Sequence, residues 1–130
     1  MGDQFRCAYA TDRYEETIEF YRDSLGFAIA ESWDRAEYDK GTLFKAASGV
    51  IEVVRRSKDE SHGEWEARRP QGFTIVIETE SVDGLYDQMS QRNVTIVEGL
   101  KDQTWGHRSF RVSDPNGVQI YFYSEIMAKQ

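Results

Sequence analysis

The sequence predicts an α+β fold in which two βαβββ modules form a curved, mixed-sheet cup with the helices on its outer face. Three observations lead to this prediction. The same order of strand-like and helix-like segments occurs in both halves of the chain, so that Phe5 corresponds to Phe73. Each half contains one amphipathic helix pattern among shorter runs that alternate between apolar and polar residues. The chain has 130 residues, which is enough for one compact domain and too few for two independent cores.

The first module is expected over about residues 4–56. A strand-like run at 5–11 leads to Asp12, which is the predicted N-cap of a helix over about 13–25. Gly26 is the predicted end of this helix. The apolar side chains at helical spacing are Tyr14, Ile18, Tyr21 and Leu25. Three further strands are predicted at 27–33, 42–47 and 50–55.

Two turns are expected within the first module. Ser48-Gly49 is the predicted tight turn between the last two strands. A charged turn at residues 34–37 lies between Trp33 and Tyr38. These two aromatic side chains either cover the mouth of a pocket or lie at a subunit boundary, and the sequence does not separate the two hypotheses.

A polar stretch of mixed charge at 57–71 is interpreted as a linker inside a single domain, and the second module occupies about 72–124. Ser81 is the predicted cap of a helix that runs to about Arg92. Its expected inner face consists of Val82, Leu85, Tyr86 and Met89. The predicted strands are 73–79, 94–98, 109–113 and 118–123. Asp114-Pro115-Asn116-Gly117 is a strong hairpin-turn signal between the last two strands.

Charge and composition exclude several classes of function. The formal net charge of −7 comes from 16 basic and 23 acidic side chains, which disfavours nucleic acid and anionic membranes as partners. The sequence contains neither a secretory signal pattern nor an apolar run of about 20 residues that could span a bilayer. Cys7 is the only cysteine, so an intrachain disulfide and a thiolate zinc cluster are excluded. These features predict a cytoplasmic protein.

Several local strings resemble the vicinal-oxygen-chelate superfamily, which includes glyoxalase I, the bleomycin resistance proteins and the extradiol dioxygenases. The strings are Phe20-Tyr21-Arg22-Asp23-Ser24-Leu25-Gly26-Phe27, Trp105-Gly106-His107-Arg108 and Asp114-Pro115-Asn116-Gly117. The resemblance covers about residues 5–123 and is closest in character to the metal-free, bleomycin-resistance-like branch. It implies a homodimer with small-molecule sites at or near the interface.

The metal-ligand positions of the superfamily carry over onto Arg6, Glu52, Thr74 and Tyr121. Metal-dependent members place His, Gln or Glu at these positions, and only Glu52 matches. Arg6 is a permanent cation and is expected to pair with Glu52. The resemblance therefore implies a protein without a metal or another cofactor.

The alternation of side chains along strands indicates which residues share the concave face of the predicted cup. The predicted ligand-binding residues are Arg6, Glu52, Thr74, Trp105, His107, Arg111 and Tyr121. This set suits a small, flat or partly aromatic ligand that carries a carboxylate, phosphate or enolate group. No residue is assigned a catalytic role.

Most of these residues also have a simpler interpretation. Glu52 is a general base, a single metal ligand or, as we favour, one partner of a structural ion pair. His107 is an acid–base group or, as we favour, a residue at the rim of the predicted pocket. Trp105 stacks on a ligand, or it anchors a turn or a dimer contact. His62 is expected to be solvated in the linker, and Cys7 is expected to be a small buried hydrophobic residue.

The favoured function is a metal-independent small-molecule-binding protein that sequesters or carries its ligand. The main alternative is a metal-dependent lyase, isomerase or dioxygenase-like enzyme with a displaced metal site, using Glu52 with His107 or His62. A metal-free acid–base enzyme using Glu52 and Tyr121 is a weaker variant. A structural or regulatory domain with a closed cup is a third possibility.

Overall fold

The computed structural model describes residues 3–55 and 70–126. The chain divides into two compact units, unit one (Met1–Gln71) and unit two (Gly72–Gln130). Each unit contains a strand, a helical segment and three further strands, which confirms the predicted βαβββ order. The proposed linker lies almost wholly outside the described residues, as does His62. No described helix is long and apolar enough to span a lipid bilayer.

Unit one is a four-stranded mixed sheet in the order β1-β4-β3-β2, with β1 and β4 parallel and the other pairs antiparallel. Its strands are β1 (Arg6–Thr11), β2 (Ile29–Ala36), β3 (Asp39–Ala46) and β4 (Gly49–Arg55). Helix α1 (Tyr14–Glu19) continues as a π-helical turn over Phe20–Ser24. In this order β4 lies between β1 and β3, and β1 forms the edge of the sheet.

The helical segment of unit one begins differently from the prediction. The cap residue is Arg13 rather than Asp12, and it makes no side-chain capping bond. Instead, the hydroxyl of the buried Thr11 accepts a hydrogen bond from the Arg13 N–H at 2.8 Å. The segment ends as predicted at Gly26, which adopts a positive φ of 76°.

The π-helical turn changes which side chains reach the core. The N–H of Leu25 donates to the carbonyl of Phe20, five residues earlier, at 2.9 Å. This wider turn buries Phe20 and Tyr21 side by side, whereas Ile18 is only partly buried. Tyr21 is fully buried against Phe44, with ring centroids 5.5 Å apart.

The two hairpins of unit one turn at other residues than predicted. Ala46 pairs with Gly49, so the tight turn consists of Ala47 and Ser48, and Gly49 already belongs to β4. Ala47 has a positive φ of 54°. Strand β2 extends through the predicted charged turn to Ala36, because a two-pronged ion pair between Arg35 and Asp39 holds the two strands together there.

Cys7 lies on the helix side of β1 but is only half-buried, contrary to the predicted burial. The reason is its position on an edge strand, since β4 is the one strand among the described residues that pairs with β1. Burial nevertheless raises the pKa of its thiol above the usual value. The side chain therefore behaves as a partly covered, neutral group at neutral pH.

Unit two repeats this plan in a sheet with the order β5-β8-β7-β6, in which β5 and β8 are parallel. Its elements are β5 (Thr74–Glu78), α2 (Val82–Ser90), β6 (Thr95–Asp102), β7 (His107–Ser113) and β8 (Gln119–Glu125). Val82 and Met89 of α2 are buried, and the ring of Tyr86 packs edge-on against Phe110. Ser81 is the cap residue as predicted, but Ser124 Oγ accepts the Val82 N–H at 3.2 Å in its place.

The hairpin between β7 and β8 forms at the predicted residues 114–117. The buried Asp114 carboxylate accepts hydrogen bonds from the N–H groups of Asn116 and Val118, at 2.8 and 2.9 Å. Gly117 supplies the positive φ, 89°, that the turn requires. The turn fixes the pairing of the two strands that carry most of the candidate site.

Replacing Ala47 with glycine should stabilise the protein. The left-handed conformation costs an L-residue about 1–2 kcal/mol, and the extra freedom of glycine in the unfolded chain offsets roughly half of that gain. Urea unfolding should show an increase of about 0.5–1 kcal/mol in the free energy of unfolding. The matched change Ala8→Gly, within β1, should instead lose about 0.5–1 kcal/mol. Equal losses at both positions would contradict the strain at Ala47.

Replacing Asp114 with alanine should destabilise the protein by about 3 kcal/mol, because two buried N–H groups lose their acceptor. Thermal and urea unfolding measure this loss. Asp114→Asn retains one acceptor oxygen and should lose less. Asp87→Ala, on the exposed side of α2, should stay within about 0.5 kcal/mol of the original protein. A loss at Asp114 no larger than that at Asp87 would show that the carboxylate does not hold the turn.

Candidate functional site

The sheet of unit two has one face covered by α2 and one face with polar and aromatic groups. Phe110 and Phe122 alternate with Arg111 and Tyr121 along the paired strands β7 and β8, so the first two side chains enter the core. Five of the seven predicted ligand-binding side chains lie together on or beside the other face. We call this set the polar face of unit two; it consists of Thr74, Trp105, His107, Arg111 and Tyr121.

Arg111 is held by neutral partners. Its Nη1 donates to Thr74 Oγ1 at 3.4 Å and to Gln119 Oε1 at 3.2 Å. The guanidinium carbon lies 5.1 Å from the ring centroid of Tyr121. Within residues 3–55 and 70–126, no carboxylate forms an ion pair with Arg111. Its positive charge is therefore positioned and still available to an anion.

Trp105, His107 and Tyr121 form a hydrogen-bonded cluster. The indole N–H of Trp105 points at His107 Nδ1 and Tyr121 Oη, at 3.2 and 3.3 Å. The distance from His107 Nδ1 to Tyr121 Oη is 3.1 Å. Tyr121 is 6% exposed, whereas Trp105 is 61% exposed. A buried phenol and a partly buried imidazole thus lie beside an exposed tryptophan.

The imidazole of His107 is fixed by two further side chains of β8. Its ring stacks on Tyr123 with centroids 3.7 Å apart and an angle of 15° between planes. Its Nε2 lies 3.7 Å from a carboxylate oxygen of Glu125. Desolvation, together with the nearby carboxylates of Glu78 and Glu125, raises the pKa of the Tyr123 phenol. Tyr123 therefore remains a neutral stacking partner at neutral pH.

Three supporting residues of this face were not predicted from the sequence. Gln119 holds Arg111, while Tyr123 and Glu125 hold His107. All three are separated from Tyr121 by an even number of residues along β8, so their side chains point to the same face. This alternation is the sequence signal that could have identified them. Their roles depend on which cross-strand neighbours meet, and that depends on the register between β7 and β8.

The remaining two predicted residues, Arg6 and Glu52, lie together in unit one. Arg6 Nη1 is 3.3 Å from Glu52 Oε1, and the Arg6 side chain is 48% exposed. A cavity of about 270 Å³ is lined by Arg6, Leu43 and Lys45, among other residues. The guanidinium therefore borders a hollow on one side and neutralises a carboxylate on the other.

Trp33 packs over the backbone of unit one rather than standing free. Its ring occupies the space that a side chain at Gly41 would need, since a Cβ there would clash with the indole. Trp33 also lines a hollow of about 500 Å³ beside Tyr14 and Thr42. Tyr38 lies under the guanidinium of Arg55, at 5.0 Å from carbon to ring centroid. Both aromatic side chains thus have contacts within their own unit.

The four positions inferred from metal-dependent relatives do not fit a divalent cation. Arg6 and Thr74 open the equivalent strands β1 and β5, and Glu52 and Tyr121 lie at equivalent places on β4 and β8. The set offers one carboxylate, and Arg6 is already paired with it. Throughout the part of the chain that the structure describes, no three His, Cys, Asp or Glu side chains come together as a metal site would require.

Comparison with known proteins gives one family and several similar folds. Residues 4–122 match the model of the Glyoxalase/Bleomycin resistance protein/Dioxygenase superfamily. The uncharacterized protein YraH of Bacillus subtilis (strain 168) is 28% identical over 117 residues, covering 83% of this chain and 88% of YraH. A member of the superfamily from Sphaerobacter thermophilus DSM 20745 has a TM-score of 0.74 at 23% identity, covering 96% of this chain and 98% of its own.

A second solved structure has a similar fold. TnmS3, described as an antibiotic binding protein from Streptomyces sp. CB03234, is similar with a TM-score of 0.68 and 18% identity. The similarity covers 96% of this chain and 97% of TnmS3. At these identities the two solved structures establish a shared fold.

The ion pair between Arg6 and Glu52 should contribute less than about 1 kcal/mol to stability, because it is solvent-accessible and makes a single contact. A double-mutant cycle with Glu52→Gln, Arg6→Gln and the combined variant, followed by urea unfolding, measures this contribution. It should shrink further in high salt. A coupling above about 2 kcal/mol would contradict this and identify the pair as a major structural element.

Proposed function

The chain belongs to the Glyoxalase/Bleomycin resistance protein/Dioxygenase superfamily, and from this premise we propose that it binds a small, flat, anionic molecule without a metal ion. The observation that carries the proposal is Arg111, a cation held by neutral groups beside an exposed indole ring. In this proposal the protein sequesters or carries its ligand. The antibiotic-binding relative TnmS3 supports a ligand of small-molecule size.

The acidic group of the ligand is assigned to Arg111. A guanidinium offers several N–H donors in one plane, which match the two oxygens of a carboxylate or the oxygens of a phosphate or enolate. Thr74 and Gln119 each accept only a long hydrogen bond from Nη1, at 3.4 and 3.2 Å. Replacing these weak bonds by a charge-assisted bond to a carboxylate is favourable, so an anion can bind without displacing a competing carboxylate.

The flat part of the ligand is assigned to Trp105. An indole that is 61% exposed offers a large apolar surface for stacking, and its N–H is already oriented by His107 and Tyr121. An aromatic ring placed on this indole and a carboxylate placed on Arg111 together define an aromatic acid. Within unit one, Arg6 and Glu52 are proposed as ligand-binding residues of their own, beside the hollow that Arg6 borders.

Metal independence follows in this proposal from the donor set. Thr74 and Tyr121 offer neutral hydroxyl oxygens at the positions inferred for metal ligands, and Glu52 is neutralised by Arg6. A homodimer is proposed from the family resemblance, and a cytoplasmic location from the composition of the sequence. The single, partly buried cysteine is compatible with a reducing compartment.

Binding of 2-naphthoate, a flat aromatic carboxylate, tests the site by isothermal titration calorimetry. Arg111→Gln should weaken its binding at least about tenfold, and Trp105→Ala about fivefold, because a charge-assisted bond and a stacking surface are lost. Arg108→Gln is the matched control: Arg108 pairs with Asp83 and Asp102 on the helix side of the same sheet. The neutral 2-naphthamide should bind more weakly and show no dependence on Arg111. Equal affinity of the Arg111→Gln variant for 2-naphthoate would contradict the proposal.

The rival function, a metal-dependent lyase, isomerase or dioxygenase, is separated by metal content. After dialysis against Ni, Zn, Fe and Mn in turn, elemental analysis of the purified protein should find only trace metal, since the donor set lacks enough ligands. Near-stoichiometric metal that disappears on Glu52→Gln would support the metal enzyme and overturn metal-independent binding.

A further inference from the structure

We propose that Tyr121 and His107 form a proton-transfer pair, through which the protein interconverts the keto and enol forms of an aromatic oxo acid bound on the polar face of unit two. The inference rests on the proposed function, because the same Arg111 and Trp105 hold the molecule. It adds an activity to that binding site, with Tyr121 as the catalytic residue and His107 as the group that receives its proton.

The hydrogen-bond geometry places Tyr121 and His107 for this transfer. The indole N–H of Trp105 has one proton to donate and lies within hydrogen-bond distance of Tyr121 Oη and His107 Nδ1, at 3.3 and 3.2 Å. When Oη accepts that proton, Oη keeps its own. The lone pair of His107 Nδ1, 3.1 Å away, is then placed to receive the Oη proton in the tautomer that carries its proton on Nε2. Nε2 is the nitrogen that faces Glu125.

The surroundings favour the charges that form when the proton moves. Transfer from Tyr121 to His107 creates a phenolate and an imidazolium. The guanidinium of Arg111 lies 5.1 Å from the Tyr121 ring centroid, on the side of the negative charge that would form. A carboxylate oxygen of Glu125 lies 3.7 Å from His107 Nε2, on the side of the positive charge. Stacking on Tyr123 keeps the imidazole in the orientation that the transfer needs.

The chemical step is a balanced proton shift. As Tyr121 Oη takes a proton from the carbon beside the ligand's carbonyl, it passes its own proton to His107 Nδ1. The C–H bond breaks, a C=C bond forms, and the carbonyl π pair moves onto oxygen as an enolate beside Arg111. The imidazolium then returns its proton through Oη to the enolate oxygen. The keto form has become the enol form, and neither an oxidant nor a metal is consumed.

The chemistry of the face defines the class of substrate. The ligand needs a carboxylate to bind Arg111, an aryl group to stack on Trp105 and an enolisable carbon near Tyr121. Tyr121 contacts both Arg111 and Trp105, so the enolisable carbon should lie between the carboxylate and the aryl group. Phenylpyruvate is a small compound that combines these three features. It is therefore the probe for the experiment.

The test measures exchange of the C3 hydrogens of phenylpyruvate for deuterium by NMR in D₂O, with calorimetry for its affinity. The protein should accelerate exchange above the buffer rate. Tyr121→Phe and His107→Asn should each lower kcat about 100-fold or more, the range expected of a lost acid–base group, with KM within about threefold. Glu125→Gln should lower kcat by a smaller factor. Tyr86→Phe, which removes a hydroxyl on the helix side of the same sheet, should leave both constants unchanged.

The outcomes separate this inference from the proposed function. If phenylpyruvate binds and Arg111→Gln weakens it, but exchange stays at the buffer rate, proton transfer is overturned and binding stands. If exchange persists in Tyr121→Phe, another group moves the proton and the assignment is wrong. If neither phenylpyruvate nor 2-naphthoate binds, both proposals fall. A loss of kcat in both variants with KM retained supports the pair, since a merely structural role would change affinity as well.

Discussion

The alternation of side chains along β7 and β8 sets both the core and the candidate site of unit two. Phe110 and Phe122 are almost completely buried on the helix side, and the residues that follow or precede them, Arg111 and Tyr121, necessarily face the other way. A slip of one residue between the strands would expose the aromatic core and bury the guanidinium. The hairpin turn anchored by Asp114 prevents that slip, so the stability of the turn and the geometry of the site depend on one register.

The repeat shows how one scaffold supports two different environments. Arg6 and Glu52 of unit one form an ion pair, so their charges largely cancel. The equivalent positions of unit two carry Thr74 and Tyr121, which are neutral, and a cation is added between them by Arg111. The two halves therefore share backbone pairing but differ in charge. That difference is the physical reason why the ligand and the proton transfer are both assigned to unit two.

Much of the fold and part of the site could be predicted from the sequence. Period-two and period-3.6 patterns identified the strands and helical segments of residues 3–55 and 70–126. The alternation of side chains along the strands placed Thr74, Arg111 and Tyr121 on one face. The errors occurred where several local signals compete: Thr11 replaced Asp12 at the helix start, and the tight turn includes Ala47. Distances could not be predicted, because they depend on side-chain torsions and on cross-strand register rather than on spacing along the chain.

The cluster around Tyr121 is poorly explained by stability alone. Trp105 is a largely exposed residue, so its contribution to the buried apolar area is small. A buried tyrosine hydroxyl needs only one partner, yet Tyr121 lies within hydrogen-bond distance of both an indole and an imidazole. The imidazole is in turn held by a stacked ring and a carboxylate. Side chains arranged in this way fix the position of one proton, and such control matters to a ligand that can accept or release it.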